Sequence, residues 1–185
     1  RRLSNGDDKP YELNISWWSA MEDSSRDAKR FQYERFILSQ LLVMALKGVP
    51  AFYLPALLAS ENDIKSFSMT GQRRDLNREK FKSENLSAVL NNPESNANKN
   101  LKYLRNAMDV RSELKQFHPC SQMKCLSKGR SDIVVIKRGI GPGSVFAIHN
   151  MTENKINYQL NDNDLPKIID NDFNTHDFLT STKYN

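Results

Sequence analysis

The hydrophobic pattern of the sequence changes at Pro119, and this change limits the folds that the chain can adopt. Beyond it come two short runs rich in β-branched residues, 133–136 and 145–148, separated by the glycine-rich stretch 139–143. Short β runs joined by such a turn predict an antiparallel hairpin. Apolar and polar residues also alternate over 156–160. We therefore expect an antiparallel β meander in this part, with strand fragments towards the end of the chain.

The preceding part of the sequence has a helical pattern in two places. Apolar residues recur at helical spacing from about Arg26 to Gly48, where a glycine and a proline stop the helix, and again from Leu101 to Phe117. The apolar run 51–54 follows the first helix and predicts a buried strand. A helix followed directly by a strand is half of an α/β unit. Residues 60–82 show no sustained periodicity, which predicts a long loop.

Length and charge limit the class of protein. The chain has 185 residues, whereas a complete eight-stranded α/β barrel needs about 250. It begins with Arg1 instead of methionine, so we expect that a preceding part is missing. The net charge is +5, and the excess lies in residues 61–130, which contain 14 basic and 8 acidic residues. This local excess favours an anion site over a nucleic-acid-binding face. The alternative from another class is a non-catalytic basic module that binds an anionic partner.

The composition also bears on location. A mean hydropathy of −0.66 argues against an integral membrane protein, and the first residues lack the basic-then-apolar order of a signal peptide. Cys120 and Cys125 are too few for a disulfide framework. We therefore expect a cytoplasmic protein without a membrane or nucleic-acid partner.

Two further kinds of site are disfavoured by the spacing of their residues. The three histidines share no metal-ligand spacing with the two cysteines, so we predict no metal site. The glycines of 139–143 lie between two predicted strands, whereas a nucleotide-binding glycine loop joins a strand to a helix. We predict no cofactor.

Charged side chains are concentrated after the predicted strand 51–54. Arg73, Arg74 and Arg78 lie close together in the sequence, with Asp75 among them. In α/β folds, ligands bind at the loops that follow the carboxyl ends of strands. Neighbouring arginines can hold anions through paired hydrogen bonds, and a carboxylate can accept bonds from sugar hydroxyls. Residues of these types also form ordinary surface ion pairs, so the cluster alone does not define a function.

Three stretches carry a more specific pattern: Tyr11 to Ser16, Gly48 to Tyr53, and Arg74 to Glu79. In their order and spacing they resemble the last part of the barrel in the α-amylase superfamily, and within it the sucrose phosphorylase-like branch. The resemblance covers about residues 5–118. Residues 119–185 match the family's C-terminal β domain in their position in the sequence and in their β-rich pattern.

The resemblance implies an α/β fold in which residues 1–118 are the C-terminal part of a (β/α)8 TIM barrel and residues 119–185 are a small antiparallel β-sandwich domain. It implies a retaining hexosyltransferase that cleaves an α-glucoside such as sucrose with inorganic phosphate to give α-glucose 1-phosphate. The family's nucleophilic Asp, acid/base Glu and third Asp belong to strands upstream of Arg1. We therefore expect no catalytic residue in this chain, which would be inactive alone.

The residues that the resemblance assigns to substrate binding are supporting ones. Arg74 matches an arginine that holds hydroxyls of the glucosyl unit, and Asp75 and Arg78 are expected to orient it. Tyr11 and Glu12 match the loop that lines the acceptor and phosphate subsite. Sucrose phosphorylases commonly have Gln in place of Glu12, so phosphorylases of glucosylglycerate, glucosylglycerol or sucrose 6-phosphate remain alternatives. The sequence leaves the acceptor and the oligomeric state open.

Overall fold

A computed structural model describes most of the chain as two compact units. The described residues are 4–7, 12–23, 27, 29–161, 163–164, 175–180 and 182–184. Unit 1 contains the described residues up to Phe36 together with 52–101, and unit 2 contains 37–51 together with the described residues from Lys102 onward. The boundary predicted after residue 118 refers to domains of a longer protein and stays a prediction.

Both helices predicted from periodicity are present. The first is confirmed but begins later than expected, because residues 29–31 form a turn, and Gly48 with φ 112° follows its end. No helix in the described part of the chain has the length and apolar character needed to span a membrane. The described helices are α1 Gln32–Ala45, α2 Leu54–Leu57, α3 Ile64–Thr70, α4 Ser83–Asn91 and α5 Asn96–Glu113, with 3-10 turns at Ser19–Met21, Arg73–Asn77 and Lys115–Phe117.

The long loop predicted over 60–82 is wrong, because α3 and a 3-10 turn occupy much of it. Asp63 caps α3, since its carboxylate accepts a hydrogen bond from the backbone N–H of Ser66 at 2.9 Å. Gly71 ends the helix in the left-handed region, at φ 66°. Two end signals thus define a seven-residue helix that is too short to show clear periodicity.

Residues 51–54 do not form the predicted buried strand. Residues 51–53 are irregular, Leu54 begins α2, and Tyr53 is 57% exposed. A strand needs a neighbour to complete its backbone hydrogen bonds, and no strand in the described part of the chain pairs with this segment. Pro55 lies in the first turn of α2, where its fixed φ favours a helix start. The predicted barrel segment is not confirmed by this fold.

The core of unit 1 forms around Trp18. Its ring lies 5.2 Å from the ring of Phe36 and 6.3 Å from that of Tyr33, both in edge-to-face geometry. Two buried alanines pack into the same cluster, Ala56 of α2 and Ala59, which lies two residues beyond its end. These contacts fix the segment that precedes Trp18, which carries part of the candidate site.

Unit 2 contains the predicted β meander. Its three strands are antiparallel in the order β1–β2–β3, and residues 139–143 form the hairpin turn between β2 and β3, as expected. The alternating residues 156–160 are not a strand, so that prediction is wrong. The strand fragments predicted near the end of the chain are confirmed, while their packing as a sandwich stays a prediction. The strands are β1 Met123–Cys125, β2 Ile133–Arg138, β3 Val145–Asn150, β4 Thr175–Asp177 and β5 Thr182–Tyr184.

Two arginines of unit 2 hold the carboxyl end of α1. Arg138, the last residue of β2, is fully buried and donates to the carbonyls of Ala45 at 3.1 Å and His118 at 3.0 Å. Arg111 of α5 donates to the carbonyls of Met44 at 2.6 Å and Gly48 at 2.8 Å. The last carbonyls of a helix have no intrahelical donors and carry partial negative charge. The two guanidinium groups satisfy these carbonyls, and burial lowers the pKa of each guanidinium.

Replacing Arg138 by methionine is expected to destabilise the chain by about 3 kcal/mol, because the volume is kept while one buried and one partly buried carbonyl lose charged donors. The measurement is the free energy of unfolding from urea denaturation. Arg105 is an exposed arginine of α5 and provides the control: Arg105→Met should change this energy by less than about 0.5 kcal/mol. Equal effects of the two substitutions would contradict the role of Arg138.

His149 predicts a pH dependence of stability. It lies in β3, is 6% exposed, its Nε2 has no hydrogen-bond partner among the described residues, and burial lowers its pKa from 6.5. The unfolded chain then binds this proton at a higher pH than the folded chain does. Stability from neutral His149 is therefore present above about pH 6.5 and decreases as the pH falls below it.

We expect His149→Gln to reduce the difference in unfolding free energy between pH 7.5 and pH 5.5. Urea denaturation at the two pH values measures it. Ile148, the exposed neighbour of His149 in β3, provides the control, and Ile148→Gln should keep the wild-type difference because it removes no titratable group. An unchanged pH dependence in His149→Gln would show that another group causes it.

Candidate functional site

The segment that carries Glu12 is irregular and is anchored at its far end. Along residues 13–18 exposed positions alternate with less exposed ones: Leu13 is 83% exposed, whereas Ser16 and Trp18 are buried. Trp18 lies in the core of unit 1, and the N–H of Ala20 donates to the carbonyl of Ser16 at 3.0 Å. The position of Glu12 is therefore set by a short irregular segment that leads out of the core.

Arg74 contacts Glu12 across 62 residues of sequence. Arg74 lies in the 3-10 turn Arg73–Asn77, and its Nε donates to Glu12 Oε1 at 2.7 Å while its Nη2 donates to Oε2 at 3.3 Å. This is the two-point geometry in which a guanidinium recognises a carboxylate. The side chains are 49% and 33% exposed, so the pair faces solvent. The structure thus brings together two of the five predicted site residues directly.

The pair determines the charge state of Glu12. The hydrogen bond from Arg74 is the largest cause that holds the pKa of the Glu12 carboxyl below its ordinary 4.5, and the positive charges of Arg74 and Arg78 lower it further. Arg78 therefore acts on Glu12 through space. Glu12 is a carboxylate at neutral pH, which accepts hydrogen bonds but donates none.

The other predicted residues have different surroundings. The carboxylate of Asp75 accepts a hydrogen bond from the Thr70 hydroxyl at 2.5 Å, and its carbonyl accepts from the backbone N–H of Arg78 at 3.4 Å. The predicted role of Asp75 and Arg78 in orienting Arg74 stays a prediction. Tyr11 lies outside the described residues.

A hydrogen-bonded connection that the sequence did not reveal involves Asn62. Its Oδ1 accepts from the backbone N–H of Ser16 at 2.7 Å, and its own N–H donates to the hydroxyl of Ser19 at 3.1 Å. The next residue, Asp63, donates its N–H to the carbonyl of Leu76 at 2.9 Å. An Asp directly before an apolar residue, as at Asp63 and Ile64, is a helix-start signal. It would have indicated an ordered segment here.

Two buried amide oxygens lie near the pair in sequence. Asn14 follows Glu12 by two residues, Asn77 follows Arg74 by three, and the Oδ1 of each is buried without a hydrogen-bond donor in the described part of the chain. Such atoms accept hydrogen bonds from hydroxyl or amide donors. Among the described residues no group of three His, Cys, Asp or Glu side chains is placed to hold a metal ion. The chemistry of this region is therefore that of guanidinium, carboxylate and amide groups, which recognise anions and hydroxyls.

Comparison with known proteins identifies homologues of the chain. It is 31% identical to the glucosylglycerate phosphorylase of Allomeiothermus silvanus over 145 residues, which is 78% of this chain and 26% of the relative. It is 27% identical to the glucosylglycerate phosphorylase of Escherichia coli over 152 residues, or 81% and 27% of the two chains. With the sucrose phosphorylase of Streptococcus mutans it shares 24% identity over 154 residues, 83% of this chain and 29% of the relative.

No family model matches the chain. The chain spans about a quarter of the length of the curated relatives that it matches. The resemblance to sucrose phosphorylase-like proteins that was predicted from the three motifs is confirmed by these homologues.

Removing the guanidinium of Arg74 should raise the pKa of Glu12 towards 4.5, because the largest cause of its lowering is lost. Carbon-detected NMR titration of the Glu12 carboxyl in Arg74→Gln measures the change. Arg78→Gln should raise the pKa by less, since Arg78 contributes only its charge. In the unsubstituted chain, the ion pair forms as the pH rises through the lowered pKa of Glu12 and is lost below it.

Arg73 provides the matched control for this titration. It is exposed and adjacent to Arg74 in the sequence, and it is not among the causes of the shift at Glu12. Arg73→Gln should leave the titration of Glu12 unchanged. An equal rise in the Arg73 and Arg74 variants would show that general positive charge, and not the two-point contact, sets the pKa.

Proposed function

Because this chain is homologous to part of the glucosylglycerate and sucrose phosphorylases, we propose that it is the C-terminal part of a retaining glucoside phosphorylase. Such an enzyme transfers the glucosyl group of an α-glucoside to inorganic phosphate and releases α-glucose 1-phosphate and the acceptor. Residues 1–118 would then complete a catalytic barrel and residues 119–185 would form most of the following β domain. The nucleophile and the acid/base residue would lie in the preceding polypeptide.

The observation that supports this proposal is the two-point contact between Arg74 and Glu12. These residues come from two of the three stretches that carry the resemblance, and they are 62 positions apart. An exposed ion pair adds little to stability. Arg130 and Asp132 form a similar exposed pair, but only two residues apart. The Arg74–Glu12 pair differs because it joins two of these stretches across 62 residues, which a site built from both stretches requires.

In the proposed enzyme, Arg74 binds hydroxyls of the glucosyl unit. A guanidinium has five N–H donors, so two of them can hold Glu12 while others bind substrate. Glu12, kept ionised by Arg74, accepts hydrogen bonds from hydroxyls of the acceptor. Asp75 and Arg78 support Arg74 from the same turn, and Tyr11 lines the acceptor subsite.

We propose glucosylglycerate as the first substrate to test and sucrose as the second. Curated relatives of the chain carry both names, and those named for glucosylglycerate have the higher identities. The carboxylate of Glu12, where sucrose phosphorylases commonly have Gln, agrees with an acceptor other than fructose. Glucosylglycerol and sucrose 6-phosphate are further candidates for the same assay.

The test begins with the gene. The reading frame is expected to continue upstream of Arg1 into segments that carry the catalytic Asp and Glu. The encoded protein should release α-glucose 1-phosphate from one of the four glucosides only when phosphate is present. A stop codon directly upstream, or no phosphate-dependent product from any of the four, would overturn the proposal.

Arg74→Ala in that enzyme is expected to lower kcat/KM for phosphorolysis at least tenfold, a loss of about 1.4 kcal/mol or more of transition-state stabilisation. A coupled assay of α-glucose 1-phosphate measures it. The exposed Arg105 gives the control, and Arg105→Ala should keep the wild-type kinetics. Unchanged kinetics in Arg74→Ala would remove Arg74 from the substrate site.

A further inference from the structure

Asn62 lies between the two segments that carry the ion pair. On one side its Oδ1 accepts from the backbone N–H of Ser16 at 2.7 Å, and its N–H donates to the Ser19 hydroxyl at 3.1 Å. The backbone N–H of Ser19 in turn donates to the Ser16 hydroxyl at 3.1 Å. Ser16, Ser19 and Asn62 thus form a small hydrogen-bonded cluster. The segment that leads to Glu12 is thus held at Asn62 by side-chain and backbone bonds together.

The other side of this connection begins at the next residue. The N–H of Asp63 donates to the carbonyl of Leu76 at 2.9 Å, and Leu76 belongs to the same 3-10 turn as Arg74. The Asp63 side chain is itself held by Ser66, since both the N–H and the hydroxyl of Ser66 donate to it, at 2.9 and 2.5 Å. Residues 62 and 63 therefore connect the Glu12 segment to the Arg74 turn through ordered groups.

We propose that Asn62 is a positioning residue, which holds the Glu12 segment at the distance from the Arg74 turn that the two-point contact requires. The ion pair cannot fix this distance by itself, because exposed pairs are weak and both side chains are long and flexible. The partly buried bonds of Asn62 act at the backbone, where they restrain the direction of the whole segment. The importance of this position for catalysis rests on the proposed function, whereas the positioning itself does not.

The titration of Glu12 in the 185-residue chain measures the position of the pair directly. Asn62→Ala removes the acceptor of the Ser16 N–H but keeps the backbone bond to Ser19. The hydrogen bonds from Arg74 to the Glu12 carboxylate should then weaken, and the pKa of Glu12 should rise towards 4.5. Adding Ser19→Ala removes the second bond and should raise the pKa further.

Asn98→Ala is the matched control. Asn98 belongs to the same unit and its side chain also bonds a backbone group, donating to the carbonyl of Leu90 at 2.5 Å, but it lies in α5, away from residues 62 and 63 in the sequence. If Asn62 served only general stability, both alanine variants would lower the melting temperature and act alike on Glu12. We expect a changed titration in Asn62→Ala alone.

An unchanged pKa of Glu12 in a folded Asn62→Ala variant would overturn the proposal, as would an equal rise in Asn98→Ala. Near-ultraviolet circular dichroism of the aromatic side chains monitors folding. If Asn62→Ala does not fold, the test uses Ser19→Ala alone, and an unchanged pKa of Glu12 in that variant overturns the proposal.

In the longer phosphorylase, Asn62→Ala should raise KM more than it lowers kcat. A shifted pKa in a protein without phosphorylase activity would overturn the proposed function and leave the positioning role in place.

Discussion

The carboxyl end of α1 is the point on which the packing of unit 2 depends. Arg111 reaches it from α5 and Arg138 from β2, across 67 and 93 residues of sequence. The ring of Phe117 lies 5.2 Å from the Arg111 guanidinium carbon and 5.4 Å from that of Arg138. Buried cations need compensation, which here comes from helix carbonyls and an aromatic face. A helix end, a second helix and the central strand of the sheet thus share one set of interactions.

Arg74, the arginine of the candidate site, has a different role from that of Arg138. Arg138 is fully buried and bonds carbonyls, so its role is in folding, while Arg74 is half exposed and bonds one carboxylate in a two-point contact. Water competes for the hydrogen bonds of an exposed ion pair, so the contact of Arg74 with Glu12 adds little to stability. Its main effects are to orient the two side chains and to keep Glu12 ionised. A group that costs little to rearrange and is charged at neutral pH is suited to binding a polar substrate.

Much of unit 2 and the long helices could be predicted from the sequence, because their signals are local. The apolar spacing around Phe36 and the turn 139–143 each lie within a few residues of the structure that they specify. The strand predicted at 51–54 failed because a strand depends on a partner that local sequence does not contain. The Arg74 contact depends on Asn62 and on Trp18, which anchors the Glu12 segment. Such long-range contacts cannot be predicted from the spacing of residues. Only the resemblance assigned both Arg74 and Glu12 to a substrate site.

The ion pairs of the basic residues bear on the alternative of a module that binds a polyanion. A surface for nucleic acid needs several cations that face the same way without carboxylates beside them. In residues 61–130, some of the basic side chains have individual acidic partners. Examples are Arg74 with Glu12, Lys99 with Glu94, Lys124 with Asp164 and Arg130 with Asp132. Each of these pairs neutralises its own cation, so this part of the segment's positive charge acts locally. Around Arg74, such a paired arrangement suits a small substrate that carries hydroxyls or a single anionic group.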